Sequence, residues 1–235
     1  MKRKLRIAPI ANIAHLGDVH SFLAQTRQER MMCLFGRPGL GKTQACRYLA
    51  EQTGAIYFEV PPNPSPFGFV AALAVALGMG RGRGFSDTLT AVSVELKARK
   101  QSLLLDEAGR LFHRYRDQLA EVARYFHDVA GIPVVLAGMP DLREALGRYP
   151  QLADRIHFLE FRCWSEADCQ MVSDLCFSVK VKPDLIREIY RQTKGNGRLV
   201  CRALEHVENH ALHSELAEIG INQWCDRPFL PEVAS

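Results

Sequence analysis

A phosphate-binding pattern lies near the start of the chain, in GRPGLGKT at positions 36–43. Its spacing is one in which glycines let backbone amides turn toward phosphate oxygens, the lysine reaches the β- and γ-phosphates, and the hydroxyl ligates Mg²⁺. A helix that begins at Thr43 would direct its positive end at the same charge. The pattern therefore predicts a site for ATP with Mg²⁺. The predicted nucleotide-binding residues of this segment are Gly36, Pro38, Gly39, Gly41, Lys42, Thr43 and Gln44.

Two carboxylates end an apolar run further along the chain, in SLLLDEA at 102–108. A buried strand there would deliver Asp106 to the sheet edge where open α/β folds bind their ligands. We expect Asp106 to hold Mg²⁺, directly or through water, and Glu107 to orient and deprotonate an attacking water. Together with the phosphate loop, the pair favours ATP hydrolysis over an ordinary strand end. The predicted catalytic residues of the site are Glu107 and Lys42, and the predicted metal ligands are Thr43 and Asp106.

Short apolar runs alternate with helical patterns through the first two thirds of the chain. The predicted strands cover 31–36, 55–60, 102–108, 132–138 and 155–161. This alternation predicts an α/β fold with a parallel five-stranded sheet covered by helices. After Phe161 the pattern is helical only. We therefore expect a P-loop ATPase core over 1–162, a small helical lid over 163–222 and a C-terminal tail over 223–235.

Helix signals accompany the predicted strands. Residues 86–99 read as a helix, and Ser165 with Asp168 fits a capping box at the start of the lid. A further amphipathic helix is predicted from apolar residues at three- and four-residue spacing. These residues are Leu119, Val122, Ala123, Phe126, Val129 and Ala130.

The composition is that of an ordinary globular protein, with 47% hydrophobic and 24% charged residues among 235. A net charge of +4 is too small to indicate nucleic-acid binding by itself. The seven cysteines include no CxxC pair and read as reduced thiols of a cytoplasmic protein. No apolar stretch is long enough for a membrane span, so no membrane association is expected.

The order of the motifs resembles that of the AAA+ ATPases, in which a P-loop core is followed by a helical lid. GNGRLVCRAL at 195–204 resembles the second sensor motif, and this implies that Arg198 touches the γ-phosphate from the lid. LADRIHFLEF resembles the segment with the arginine finger. That likeness implies that Arg155 acts catalytically on the nucleotide of a neighbouring subunit, with Arg148 as the second candidate.

One position departs from the family pattern. The first sensor, after the fourth strand, usually carries Asn, Thr or another polar residue, and here Met139 stands in LAGMPDL. A thioether orients water poorly because it is only a weak acceptor. Either hydrolysis is slow, or another polar group takes the role.

Within the AAA+ proteins, the chain resembles the transposition helpers, the group of the Mu phage B protein and the TnsC proteins. The similarity rests on LFGRPGLGKT, LLLDEA and GIPVVLAGMPDLREAL followed by PQLADRI. It implies ATP-dependent assembly of a ring or helical filament on double-stranded DNA, target-site selection, and contact with a transposase.

Two arginine-bearing stretches are candidates for DNA contact. GRGRG at 80–84 and GRLFHRYR at 109–116 could both approach phosphates, without the aromatic interleaving that indicates base stacking. Binding without sequence specificity is therefore expected, although a solvated loop with scattered charge remains the alternative. The candidate DNA-binding residues are Arg81, Arg83, Arg110, Arg114 and Arg116.

Two other functions stay open. The same core could serve another machine, such as a secretion-associated ATPase or a helicase loader. A nucleotide-dependent scaffold with little hydrolysis is the third hypothesis, and it is suggested by Met139 at the first-sensor position. ATP turnover measured with and without DNA separates the scaffold from the DNA-dependent ATPase.

Overall fold

The computed structural model describes residues 7–26, 31–112, 116–225 and 227–229. The chain divides into two compact units. The sheet unit contains Leu16–Arg37 and Lys42–Phe161. The helical unit contains the N-terminal segment to His15, the short stretch Pro38–Gly41 and the chain from Arg162 onward.

Five parallel strands form the sheet, in the order β2-β3-β4-β1-β5. They are β1 (Met31–Phe35), β2 (Ile56–Glu59), β3 (Leu103–Asp106), β4 (Val134–Gly138) and β5 (Ile156–Glu160). Every residue of β1, β3 and β4 is buried, as expected for a parallel sheet covered on both faces. The predicted α/β fold with a five-stranded parallel sheet is confirmed. The carboxyl ends of β1 and β3 lie at the same edge, with β4 between them.

Seven helices belong wholly or partly to the sheet unit among the residues described. They are α1 (Ala11–Gln25), which contributes to both units, α2 (Lys42–Thr53), α3 (Pro66–Ala76), α4 (Phe85–Arg99), α5 (Arg116–Tyr125), α6 (Pro140–Gly147) and α7 (Pro150–Ala153). A 3-10 turn covers Ala108–Phe112, and a π-helical turn covers Phe126–Ala130.

Local sequence explains several helix ends. The Ser65 hydroxyl accepts a hydrogen bond from the Gly68 amide, and Pro66 occupies the first helical position of α3. Lys100, with φ of 55°, ends α4 in the left-handed conformation. The apolar face of α3 then packs on the sheet, where Phe69 lies between Phe58 and Phe126 with ring centroids 5.9 and 6.4 Å away.

The helical unit is built from α8 (Glu166–Cys176), α9 (Pro183–Thr193), α10 (Gly197–His213) and α11 (Ile221–Trp224), with the short parallel pair β6 (Lys180–Val181) and β7 (Glu218–Ile219). The predicted capping box is confirmed, because Ser165 and Asp168 exchange side-chain and backbone hydrogen bonds at the start of α8.

Described residues before α1 and after α10 contribute to the core of the helical unit. Ala8 and Ile10 pack into its apolar cluster, and the Ala11 amide donates to Asp168 Oδ1 at 3.0 Å. Trp224 and Phe229 are buried there and stack with ring centroids 5.2 Å apart. From the sequence, Ala8 and Ile10 are expected in the ATPase core and Trp224 and Phe229 in a C-terminal tail. In the structure these four apolar side chains pack in the buried cluster of the helical unit.

No helix in the described part of the chain has the length and apolar character needed to cross a membrane.

Candidate nucleotide site

The loop between β1 and α2 has a backbone that requires its glycines. Gly39 and Gly41 hold φ of 83° and 91°, in the left-handed region that side chains disfavour. A Cβ at Gly36 would lie 2.7 Å from the carbonyl oxygen of Phe161, so the loop starts where only glycine fits against the chain that follows β5. The predicted phosphate-loop pattern thus coincides with a backbone of the kind that such a loop needs.

Lys42 begins α2 and folds back over the loop. Its Nζ donates to the carbonyl oxygens of Gly36 at 2.7 Å and Arg37 at 3.0 Å. Thr43 is half-buried and Gln44 is exposed in the same first turn. The ammonium group and the amino end of α2 together place positive charge at the end of the loop, which suits a phosphate.

Three loop carbonyls are bound within the helical unit. Asn196 Nδ2 donates to the carbonyl of Pro38 at 3.0 Å, and the backbone amide of Arg198 donates to that of Gly39 at 2.8 Å. Trp164 Nε1 donates to the carbonyl of Leu40 at 3.3 Å. The segment that resembles the second sensor therefore contacts Pro38 and Gly39, the part of the loop that belongs to the helical unit, through its backbone and its helix cap.

Asn196 and Trp164 were not identified as site residues from the sequence. Asn196 also caps α10, since its side-chain oxygen accepts from the Leu199 amide at 3.3 Å. A Cβ at Gly197 would overlap the Trp164 ring, so the glycine leaves the space that the indole fills. The NG dipeptide before a helical run was a signal for the cap, but nothing local indicated the partner of Trp164.

Asp106 ends β3 and is buried, with 3% of its surface exposed. Its Oδ1 accepts from the Glu107 backbone amide at 2.9 Å, and its Oδ2 accepts from the Tyr57 hydroxyl at 2.9 Å. Each carboxylate oxygen keeps a further lone pair, so the group can bind a metal ion or a metal-bound water. The fold thus brings Asp106 to the sheet edge that also carries the phosphate loop.

Glu107 holds a strained backbone conformation, with φ of 56°. A left-handed conformation is unfavourable for a residue with a side chain, and such residues concentrate at functional sites. The Glu107 carbonyl accepts from the Arg110 amide at 3.0 Å and so opens the 3-10 turn. Its side chain is half-buried and follows Asp106 directly in the chain.

Tyr57, on β2, is a site residue that the sequence reasoning missed. Burial raises the pKa of its hydroxyl to about 12. The hydroxyl donates its hydrogen to Asp106 Oδ2. The Arg47 guanidinium lies over the ring, 5.2 Å from its centroid. Tyr57 pairs with Leu104, two residues before Asp106 on the same face of β3, so the strand pairing brings the two side chains together without a signal in the local sequence.

These groups fit a nucleotide with Mg²⁺. Gly39 and Gly41 give the loop the left-handed backbone that turns amides toward a phosphate, and Lys42 supplies the countercharge. Thr43 and Asp106 offer a hydroxyl and a carboxylate, the hard oxygen donors that Mg²⁺ prefers.

The structure also places the remaining predicted nucleotide-sensing residues. Met139 follows β4, caps α6 without a side-chain hydrogen bond and is 38% exposed. Arg155 precedes β5, and its guanidinium lies 3.0 Å from Asp128 Oδ1 with 47% of the side chain exposed. Arg148, at the end of α6, is exposed. The Arg198 side chain is exposed as well, at the second position of α10.

The candidate DNA-binding arginines differ from one another in their surroundings. Arg81 and Arg83 are exposed, on a loop that Gly82 shapes with φ of 71°. Arg110 donates to the Glu59 carboxylate at 3.2 Å and also to the Val60 carbonyl, so its guanidinium is engaged within the sheet unit. Arg114 lies outside the described residues, and Arg116 is described only as the first residue of α5.

Comparison with known proteins identifies similar chains of several kinds. A Staphylococcus aureus protein described as a potential ATP-binding protein is 31% identical over 116 residues, which cover 45% of this chain and 41% of that protein. The Aeropyrum pernix Orc1 protein, solved in complex with DNA, has a TM-score of 0.61 at 18% identity over 91% of this chain and 62% of its own. The Thermotoga maritima RuvB Holliday junction branch migration motor has a TM-score of 0.59 at 18% identity, over 90% and 66%.

The chain therefore spans less than two thirds of each of these relatives, and the two solved structures show a common fold. The family model described as an AAA domain matches residues 25–146. That match covers more than half of the chain, including the phosphate loop, Asp106 and Glu107, and the chain belongs to the AAA domain family.

Proposed function

We propose that the protein is a Mg²⁺-dependent ATPase that assembles on double-stranded DNA and acts in transposition, where it selects target sites and recruits a transposase. The observation that carries the proposal is the joint position of the phosphate loop, Asp106 and Glu107 at one edge of the sheet. Glycine conformation, positive charge and carboxylates there match what phosphoryl transfer to water requires.

Each residue of the site has a role in this proposal. Lys42 exchanges its two loop carbonyls for phosphate oxygens, while Thr43 and Asp106 hold the magnesium ion. Glu107 orients the attacking water and accepts its proton. The exposed Arg155 stabilises the charge that develops on the nucleotide of a neighbouring subunit, and Arg198 contacts the γ-phosphate.

DNA binding is assigned to the exposed Arg81 and Arg83. Two guanidinium groups bind a duplex weakly, but an assembly repeats them along the DNA, so that a net charge of +4 is sufficient. An Orc1 protein with the same fold was solved in complex with DNA, which supports DNA binding as a function for this fold. Contacts of this kind are to phosphates, so we expect no sequence specificity. Arg110, Arg114 and Arg116 stay secondary candidates.

The transposition role rests on the resemblance to the transposition helpers. ATP binding would build the assembly on target DNA in the cytoplasm, and hydrolysis would dismantle it. The transposase is the partner that binds the protein once it has assembled on DNA.

The test is sedimentation of the protein with random-sequence duplex DNA, with and without ATP and Mg²⁺. We expect heavy particles only with ATP, and none for Lys42→Ala. The double variant Arg81→Ala/Arg83→Ala should bind less DNA. Its slope of log affinity against log salt should be shallower by about 0.9 for each phosphate that the arginines no longer neutralise.

A matched control removes the same charge elsewhere. Arg187 and Arg191 lie on α9 with side chains 70% and 71% exposed, so their double alanine variant should bind DNA as the unaltered protein does. Equal weakening of DNA binding in both double variants would show a general charge effect. Equal DNA binding with and without ATP would refute the proposal.

A nucleotide-dependent scaffold is the second candidate, favoured by the exposed Met139 at the first-sensor position. In that case ATP would build the assembly and turnover would stay at background, with or without DNA. Stimulation of turnover by DNA would exclude the scaffold.

A further inference from the structure

We propose that Tyr57 is a positioning residue for Asp106, and that it ties this carboxylate to the helix that follows the phosphate loop. The inference rests on the assignment of Asp106 and Thr43 as magnesium ligands in the proposed function. The two proposed ligands lie on different elements, Thr43 on α2 and Asp106 on β3. The geometry of a bound ion depends on how the two elements are held together.

The contact with Asp106 is direct. The Tyr57 hydroxyl donates to Oδ2 at 2.9 Å, and the Glu107 amide donates to Oδ1 at 2.9 Å. With a donor on each oxygen, the rotation of the buried carboxylate is fixed. Hydrogen bonds from outer groups commonly orient metal-binding carboxylates in this way.

The contact with α2 is made through Arg47. Its guanidinium lies 5.2 Å from the centroid of the Tyr57 ring, at a distance typical of a cation–π interaction. Arg47 follows Thr43 by four residues on α2, so the two side chains share one helix face. Arg47, Tyr57 and Asp106 thus form a chain of contacts from the helix of one magnesium ligand to the other ligand.

Tyr57→Phe removes the hydroxyl, which hydrogen-bonds Asp106 and also Arg47, and keeps the ring beneath Arg47. We would measure the affinity for a fluorescent ATP analogue in EDTA, then titrate MgCl₂ and record the midpoint of the rise in affinity. Removing an outer-shell partner typically lowers metal affinity by 10–100-fold, so the Mg²⁺ midpoint should rise by about 10-fold or more. Affinity in EDTA should stay within about twofold, because the groups that bind the nucleotide without metal are unchanged.

Tyr149→Phe is the matched control. The Tyr149 hydroxyl also donates to a carboxylate of the sheet unit, Asp117, at 2.6 Å, but it is not one of the site's residues. A purely structural effect would lower the melting temperature in both variants and leave the Mg²⁺ midpoint in place. The proposal expects the midpoint to move in Tyr57→Phe alone.

Arg47→Met tests the second contact. If Arg47 acts through Tyr57, the double variant Arg47→Met/Tyr57→Phe should have nearly the same Mg²⁺ midpoint as Tyr57→Phe. If the rise in the Mg²⁺ midpoint of the double variant equals the product of the two single-variant rises, the two residues act independently and the role given to Arg47 is wrong.

Asp106→Asn separates this inference from the proposed function. If Asp106→Asn raises the Mg²⁺ midpoint and Tyr57→Phe does not, Tyr57 has no positioning role while the metal site stands. If neither moves it, both the inference and the assignment of Asp106 as metal ligand are wrong. If the unaltered protein binds no nucleotide, the proposed function itself is refuted, and the inference with it.

Discussion

Replacing Glu107 by glycine is expected to stabilise the protein while it removes hydrolysis. Glu107 has φ of 56°, in the left-handed region, where a side chain costs about 1–2 kcal/mol. Glycine avoids that cost but loses about 0.5–1 kcal/mol more conformational free energy on folding. The net gain in unfolding free energy for Glu107→Gly is therefore about 0–1.5 kcal/mol, with about 0.75 kcal/mol at the middle of the two ranges.

The gain is large enough to measure by calorimetry. For a chain of this size, 1 kcal/mol shifts the melting temperature by about 2–4 °C, so a gain of about 0.75 kcal/mol should raise the melting temperature of Glu107→Gly by about 1.5–3 °C. Tryptophan fluorescence is the wrong probe, because both tryptophans, Trp164 and Trp224, belong to the helical unit. ATP turnover should fall by about 10²–10⁴-fold, the usual cost of losing a positioned general base.

Two variants separate backbone strain from catalysis. Glu107→Gln keeps the strained backbone and a similar side chain, so it should lose turnover without a gain in melting temperature. Lys100→Gly relieves a left-handed residue with φ of 55° at the end of α4, and it should gain stability with turnover intact. If Lys100→Gly melts higher and Glu107→Gly melts no higher than Glu107→Gln, the strain argument at Glu107 is refuted.

Three further substitutions probe the loop and its surroundings. Gly36→Ala places a Cβ 2.7 Å from the Phe161 carbonyl, and urea unfolding should show a loss of about 1–3 kcal/mol. Asn196→Asp keeps the helix-capping oxygen but loses the donor to the Pro38 carbonyl, so calorimetric stability should change less than in Asn196→Ala, for which about 1 kcal/mol is expected. Gly82→Ala puts a side chain on a residue with φ of 71°, where its Cβ would overlap the Thr88 hydroxyl. The loop should change conformation and be cleaved faster by proteases within 80–84. An unchanged rate of cleavage would contradict this.

The strands β1 and β4 were predictable because parallel strands buried on both faces appear as unbroken apolar runs. The predicted runs at 31–36 and 132–138 enclose them, with excess residues only at the ends. The run at 55–60 encloses β2, which lies at the sheet edge and is only partly buried. The phosphate loop and the Asp106–Glu107 pair were predictable for a related reason. Their chemistry depends on residues close together in sequence, which fold into the strand–loop–helix and strand-end positions expected of them.

What the sequence did not indicate depends on distant contacts or on a change of helical register. Tyr57 reaches Asp106 across a strand pairing, and no spacing along the chain encodes that contact. The apolar pattern through 119–130 predicted one α-helix, whereas α5 gives way to a π-helical turn after Tyr125. The wider turn shifts the faces, so Val129, predicted for the apolar face, is 41% exposed while Ala130 remains buried.

The slot that holds Trp164 has an evolutionary consequence. A Cβ at Gly197 would overlap the Trp164 indole, whereas a Cβ at Gly195, whose φ is 70°, would meet the backbone carbonyl of Trp164. Gly197 therefore makes room for the indole, whose Nε1 donates to the carbonyl of Leu40. Among related chains, a smaller side chain at 164 should free position 197 to accept alanine, so the two positions should change together. Position 195 should stay glycine, because its left-handed backbone persists whatever fills the slot.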